Sequence, residues 1–341
     1  MEAIDQKIKS KDNEKPLKKN VFIEQISKYF LLIGTILLLI GFSIIESQFF
    51  SGITVLSIFT TAALSGTLAI GMLYALIVGE MNFAIGAQAT VAAAIVGRLM
   101  NIEGFSYPVA LLAGILFPLL MGLIAVVLNL KVGVPTFIAT LSLAPFANGL
   151  TTIFTDNKVY YSGNWPNTPL GVIGQKMIGP VPLLVIVFFV IVIFTYILLD
   201  HTRFGRYMFS VGTSPTASKQ VGIDVNRVKI IGFLVSSLIV AFAGIMIASR
   251  EYKVWPGMGD ESMMEAIAIA MLSATFLRPG RYNIQGVLVA AFFVTAIYVG
   301  IRMIGAPLEI RFLVQGVVFI LAVGFIARTR KEGLPAVRFG R

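Results

Sequence analysis

From Met177 to Leu199 the chain reads MIGPVPLLVIVFFVIVIFTYILL, with no Asp, Glu, Lys or Arg. A bilayer core about 30 Å thick is crossed by roughly 20 apolar residues in a helix, with a range of about 17–25. Lipid offers no water to satisfy backbone N–H and C=O groups, so a crossing stretch of this kind folds as a helix. Equivalent charge-free runs are Tyr29–Ile45, Ser47–Gly79, Met81–Gly97, Gly104–Leu130, Val132–Thr155, Ile230–Ser249, Ala266–Leu277, Tyr282–Ile301 and Phe312–Ala327. The shortest, Ala266–Leu277, spans only if Met263, Met264 and Glu265 join it, which predicts a short or broken helix. Ser47–Gly79 exceeds one span and is expected to open with a loop or a re-entrant piece. The expected fold is all-α: a polytopic integral membrane protein with about ten transmembrane helices.

Composition points the same way. Of 341 residues, 57% are hydrophobic and 13% are charged, against roughly 25% charged in an average soluble domain. So few charges do not cover a soluble surface, and 26 Phe exclude a disordered chain. With no Cys there is no disulfide, thiolate metal site or Cys nucleophile. The single His, His201, adjoins Asp200 at the inner end of a run and reads as a local cap or interfacial residue. There is no G-x-x-x-x-G-K-[ST], H-E-x-x-H, C-x-x-C or G-x-S-x-G motif. A transporter built this way is passive, ion-coupled or driven by a separate subunit. Glu80, Arg98, Glu265, Arg302 and Arg311 fall near run ends, which counts against ion coupling.

The net charge of +10 is topological rather than a nucleic-acid signal, since positive residues collect on the cytoplasmic side. With the N-terminus inside and ten alternating helices, twenty of the 27 Lys and Arg fall inside. The seven outside are Arg98, Lys158, Lys176, Arg250, Lys253, Arg302 and Arg311. Acids divide nearly evenly, so the bias belongs to positive charge. Both termini are expected in the cytoplasm. Residues 1–28 form a basic tail beside anionic lipid, 29–327 the transmembrane permease domain and 328–341 a second tail. No A-x-A pattern follows the first apolar run, so that run is expected to be retained as a helix.

The longest inner connection, Asp200–Lys229, reads DHTRFGRYMFSVGTSPTASKQVGIDVNRVK. Thr213 or Ser214 is placed to cap a short helix with Pro215 at its first position. That helix is expected over Pro215–Val221, ending at Gly222. Ala217 and Val221, four apart, form a small apolar face. The element reads either as a docking helix or as an interfacial helix among lipid headgroups.

This loop resembles the ATPase-contacting loop of ribose-type (monosaccharide) ABC importer permeases, within the wider branched-chain amino acid and sugar ABC permease superfamily. That family carries Thr-Arg-x-Gly-Arg and then Gly-x-[Asn/Ser]-x-x-Ala-Ala-x-x-x-Gly-Ile-x-Val. Here Thr202, Arg203, Gly205, Arg206, Gly212, Ala217, Gly222, Ile223 and Val225 match, and Ser218 replaces the second Ala. Weaker likeness at Phe137–Leu141 and Gln315–Val318 extends the resemblance over about residues 50–328. The resemblance implies a non-enzymatic, multi-pass permease of a prokaryotic inner membrane, without a cofactor of its own. By the same resemblance ATP and Mg belong to separate ABC ATPase subunits. A substrate-binding protein delivers a monosaccharide or related small neutral polyol, and a second permease chain, identical or not, completes a pair. Pro215–Val221 would be the coupling helix. Its contact set would be Arg203, Gly205, Arg206, Gly212, Pro215, Ala217, Ser218, Val221, Gly222 and Ile223.

The departures fall in the family's glycine-rich stretches. Where the family has Gly-Gly-[Ile/Met]-Asp-Leu-Ser-Val-Gly, this chain has Gly79–Gly86 with Asn82 for the Asp and Ala84 for the Ser. Leu272–Arg281 replaces a stretch around Leu-Gly-Gly-Thr-Ser, and Asn148-Gly149 stands for Arg-Gly. Candidate path residues beside these motifs are Asn82, Phe83, Ser273 and Thr275. Helix–helix glue is the competing reading for such buried polar groups, and the preferred one for Gln88 and Asn148. Glu46, Glu103, Asp156, Asp260 and Glu261 read as solvated outer-loop charges, with binding-protein contact as the other reading. Arg278 and Arg281 read as topology anchors, and Trp165, in the stiff stretch Trp165–Pro169, as an interfacial anchor. Other readings share these residues. One is a permease for a branched-chain amino acid, nucleoside or furanosyl signal, another an ion-coupled secondary carrier, and a third a degenerate partner permease in a heterodimer.

Overall fold

The computed structural model describes residues 21–101, 104–161 and 168–307, with parts of 309–324. Residues 1–20 of the expected basic tail 1–28, the expected tail 328–341, and the readings on Glu103, Trp165 and Arg311 lie outside the described residues, while residues 21–28 of that tail belong to the first helix. The helices are α1 (Val21–Ile45), α2 (Gly52–Ile77), α3 (Ile85–Asn101), α4 (Tyr107–Val127), α5 (Thr136–Phe154) and α6 (Pro169–Gln175). They continue as α7 (Leu183–Tyr196), α8 (Arg203–Thr213), α9 (Pro215–Gln220), α10 (Val225–Glu251), α11 (Asp260–Leu272) and α12 (Ile284–Met303). Two-residue strands pair outer segments: β1 (Tyr160–Tyr161) with β4 (Lys253–Val254), and β2 (Met177–Ile178) with β3 (Val181–Pro182).

Among the described residues, six helical stretches are long and apolar enough to cross a membrane: Gly52–Ile77, Tyr107–Val132, Thr136–Phe154, Leu183–His201, Val225–Glu251 and Ile284–Met303. Leu31–Ile45 and Ile85–Met100 are shorter apolar helices. As expected, the long run after Ser47 opens with a turn before α2 begins at Gly52. The apolar run Ala266–Leu277 is likewise a short helix, extended at its start to Asp260 and closed by the 3-10 turn Ser273–Thr275.

Helix α10 lies at the centre, packed against α2, α3 and α4, and α2 in turn packs on α11 and α12. Small residues make this possible: Ala62, Ala63, Ser65, Gly66 and Gly71 of α2 are buried. Between helices in lipid, close backbone approach and interhelical hydrogen bonds replace the hydrophobic drive. The outer faces are apolar. Leu112, Leu116, Leu120 and Ile124 of α4 recur every four residues, and all are exposed.

The ion pairs Arg98–Asp156 and Lys253–Glu251 each join residues assigned outside, and Lys229–Glu80, Arg278–Asp200 and Arg227–Asp224 residues assigned inside. His201 packs edge-on against Tyr196, ring centroids 4.9 Å apart.

One buried side chain secures the turn after α11. The Asn283 amide donates to the carbonyls of Ser273 and Phe276 at 2.9 Å each, while its Oδ1 accepts from the Gly286 N–H at the start of α12. Asn283→Ala removes a cap and orphans two buried carbonyls. The expected cost is about 2–4 kcal/mol, read as a fall in melting temperature in detergent.

Candidate functional site

The chemistry-bearing residues gather in two places. The first is the connection through α8 and α9. Thr202 caps α8, its hydroxyl accepting from the Gly205 N–H at 3.2 Å. Ser214 caps α9, accepting from the Ala217 N–H at 3.3 Å, with Pro215 at the first position. The helix ends at Gln220, so Val221 is its C-cap rather than its last turn, and Gly222 turns the chain with φ +82°. That positive φ is one a side chain rarely tolerates. Asp224 then caps α10 through the Arg227 N–H.

The faces of α9 divide cleanly. Ser218 is buried, its hydroxyl 2.8 Å from that of Ser210. Ala217 is exposed and Val221 is 75% exposed, so the small apolar face points away from the bundle. Arg203 and Arg206 are also exposed, while Gly205 is buried against the carbonyls of Leu198 and Leu199. A cavity of about 480 Å³ opens between this unit and residues 280–282, lined by Arg206, Phe209, Ala217, Arg281 and Tyr282 among others. The Arg281 guanidinium stacks 3.9 Å from the centroid of Phe209. Burial lowers its pKa, Arg278 lowers it further and Asp200 opposes both.

Helix α8 rests on the end of α2. A Cβ on Gly212 would overlap the Ile77 carbonyl oxygen, and Gly79 lies against the Gly212 backbone as well. Immediately beyond, Glu80 is shared. One carboxylate oxygen takes the Lys229 ammonium, and the other accepts from the Thr136 hydroxyl at 2.8 Å. Lys229 belongs to the first turns of α10 and Thr136 begins α5. Sequence reading missed this triplet. Its one trace was that Glu80 and Lys229 are an acid and a base assigned to the same side.

The second place is the start of α3 and of α11. The stretch before α3 is pinned by Asn82, whose amide donates to Gln88 Oε1 at 3.0 Å and whose Oδ1 accepts from the Ala84 N–H at 3.0 Å. Gln88 in turn reaches Ser237 Oγ at 3.3 Å and the Pro118 carbonyl at 3.4 Å. Phe83 is half-buried, its N–H donating to Thr140 Oγ1 at 3.0 Å. Asn82, Phe83 and Gln88 therefore share one network. Ser273 and Thr275 lie apart from it, beyond the other end of α11, with their hydroxyls on the carbonyls of Ala270 and Leu272.

The helices α3 and α11 meet start to start. The Gly259 N–H donates to Thr90 Oγ1 at 2.8 Å, and that hydroxyl donates to the Gly86 carbonyl at 2.9 Å. A Cβ on Gly259 would overlap the Gly86 carbonyl oxygen, so the crossing needs glycine. Beside it, the Asn148 amide donates to Asp260 Oδ2 at 2.8 Å. Asp260 is thus no free outer-loop charge, and Asn148 joins α5 to a carboxylate. Glu265, expected at an outer helix end, is 2% exposed. Both share a cause: the stretch before α11 leads inward, with Val254, Met258 and Gly259 buried, so α11 starts among the other helices.

The profile of the family described as "Branched-chain amino acid transport system / permease component" matches residues 48–323. The ribose import permease protein of Bacillus subtilis (strain 168) is 28% identical over 85% of this chain and 90% of its own length. The fructose import permease protein of Rhizobium meliloti is 27% identical over 88% of this chain and 85% of its own. The autoinducer 2 import system permease protein of Photorhabdus luminescens is 28% identical over 84% and 86% respectively. No solved structure gives a significant match.

Proposed function

This chain belongs to the branched-chain amino acid transport system permease family, and from that premise we propose that it is the membrane-spanning permease of an ATP-driven importer for a monosaccharide. It is a multi-pass cell-membrane protein. The ribose, fructose and autoinducer 2 permeases that it resembles support a sugar or sugar-like solute. In this reading about ten helices cross the bilayer with both termini in the cytoplasm. A substrate-binding protein delivers the solute outside, and ABC ATPase subunits holding ATP and Mg drive the cycle inside. Two permease chains pair around the path. The chain itself makes and breaks no covalent bond.

The observation that carries the reading is the build of α9. It is capped at both ends, presents Ala217 and Val221 outward, and is backed by α8, whose Gly212 touches the end of α2. We assign α9 with Val221 as the coupling helix. Arg203 and Arg206 are exposed beside it, Pro215 and Ser218 shape it, and Gly205, Gly222 and Ile223 set its exit and entry. Motion of the ATPase pushes α9, α8 passes it to Ile77–Gly79, and Glu80 carries it to the segment of Asn82 and Phe83 before α3. Ser273 and Thr275 hold the turn at the far end of α11.

The test is reconstitution with the ATPase and binding protein in vesicles, scored for uptake of labelled ribose and fructose. ATP-dependent uptake of either supports the reading. Uptake that follows an ion gradient without ATP overturns it. Val221→Asp separates docking from folding. At so exposed a position stability is expected to stay within about 0.5 kcal/mol, while stimulation of the ATPase by the loaded binding protein is lost.

A further inference from the structure

Asp260 lies at hydrocarbon depth. Helices α3 and α5 are tied at their outer ends, where Arg98 donates to the Phe154 carbonyl at 3.2 Å. Gly86, which touches Asp260, stands twelve residues before Arg98 on α3, about 18 Å lower at 1.5 Å per residue. Asn148 stands twelve residues above Thr136, the partner of Glu80 at the inner end, again about 18 Å. Asn148 is also six residues, about 9 Å, before Phe154, so in a core about 30 Å thick the Asn148–Asp260 pair lies inside the hydrocarbon region, between about 9 and 18 Å from its outer end.

A carboxylate at that depth is expensive against lipid tails and belongs to a bundle interior or a watered path. Yet neither Asp260 nor Asn148 is fully buried. Gly149, next to Asn148, is exposed, and a Cβ there would meet nothing within 4 Å. The pair is also incompletely satisfied. Asn148 spends one N–H on Asp260, and its Oδ1 is buried with no hydrogen-bond partner. Gly86 leaves the room that Asp260 occupies, for a Cβ there would sit 2.5 Å from Asp260 Oδ1. The two side chains together offer an acceptor, a donor and a carboxylate edge. Neighbouring hydroxyl groups, each donating once and accepting once, complement such a set. Among the described residues no ion pair joins Lys or Arg to Asp260.

We propose that Asn148 and Asp260 are the solute-contacting, specificity-determining pair at the waist of the path, and that they take a vicinal diol of a neutral polyol. The proposal rests on the importer reading above. As α5 and α11 separate, the amide–carboxylate bond opens and two hydroxyls of the solute take its place. As they close, the bond re-forms and the solute is released.

The experiment uses the complete transporter in vesicles with labelled ribose, challenged by unlabelled ribose, 2-deoxyribose, fructose and leucine. Asp260→Asn keeps size and shape but loses the charge-assisted bonds. Its half-saturation for ribose is expected to rise about tenfold, with the preference for ribose over 2-deoxyribose flattened. Asn148→Ala is expected to act in the same direction. Melting temperature in detergent serves as the folding control for both variants. Unchanged half-saturation and unchanged discrimination in a folded Asp260→Asn overturn the proposal while leaving the importer reading intact. If leucine competes and Asp260→Asn abolishes that competition, the polyol class is wrong. If the unmodified transporter takes up neither ribose nor fructose with ATP, the importer reading itself fails.

Discussion

Lys229→Met is expected to destabilise the protein by about 3–5 kcal/mol, because it leaves a buried carboxylate without its counter-charge. The side chains of Lys229 and Glu80 are 14% and 11% exposed, so water screens them poorly. Thr136 still donates to Glu80 in the variant, but a hydroxyl does not neutralise the charge. Glu80→Gln combined with Lys229→Met removes both charges and keeps an acceptor for Thr136. It should recover most of the loss, since a neutral replacement of a buried pair costs far less than half a pair. Thermal unfolding in detergent, run as a double-mutant cycle, reads the difference directly. A single variant that melts with the unmodified protein would show that the pair does not hold the inner end.

Gly212→Val is expected to abolish uptake while the ATPase subunits still bind and hydrolyse ATP. The new Cβ would overlap the Ile77 carbonyl oxygen. That oxygen belongs to the backbone at the end of α2, which cannot swing aside as a flexible side chain can. Overpacking of this kind costs about 1–3 kcal/mol and is relieved by moving one element. The element free to move is α8 with α9, so the link from the docking face to Glu80 is cut at its first contact. Parallel assays of uptake and hydrolysis separate this outcome from misfolding. Wild-type uptake in the variant would rule out Gly212–Ile77 as the route.

What was legible in the sequence follows from how local each signal is. Ser214, Pro215 and Gly222 act within one turn of α9, and their cap, start and stop were read to within one residue. The apolar runs announced the helices because lipid enforces helical folding wherever charge is absent. Helix α11 was the ambiguous one, since the stretch before it bends inward and draws Asp260 and Glu265 from the expected outer surface into the bundle. The long-range pairs were not legible. Glu80 and Lys229 are 149 residues apart, Asn148 and Asp260 112. Only the packing of α10 and of α11 decides which acid meets which partner. Asn82 and Gln88 were recognised as polar groups in apolar surroundings, but only the structure shows that they bind each other.

The start-to-start contact of α3 and α11 makes one joint of two stretches far apart in the chain. The stretch that follows Glu80 and the stretch that follows β4 both end at Gly86–Gly259, where Thr90 Oγ1 accepts from one glycine and donates to the other. In the transport reading proposed above, a push on either stretch is therefore felt by its counterpart at that single hydroxyl.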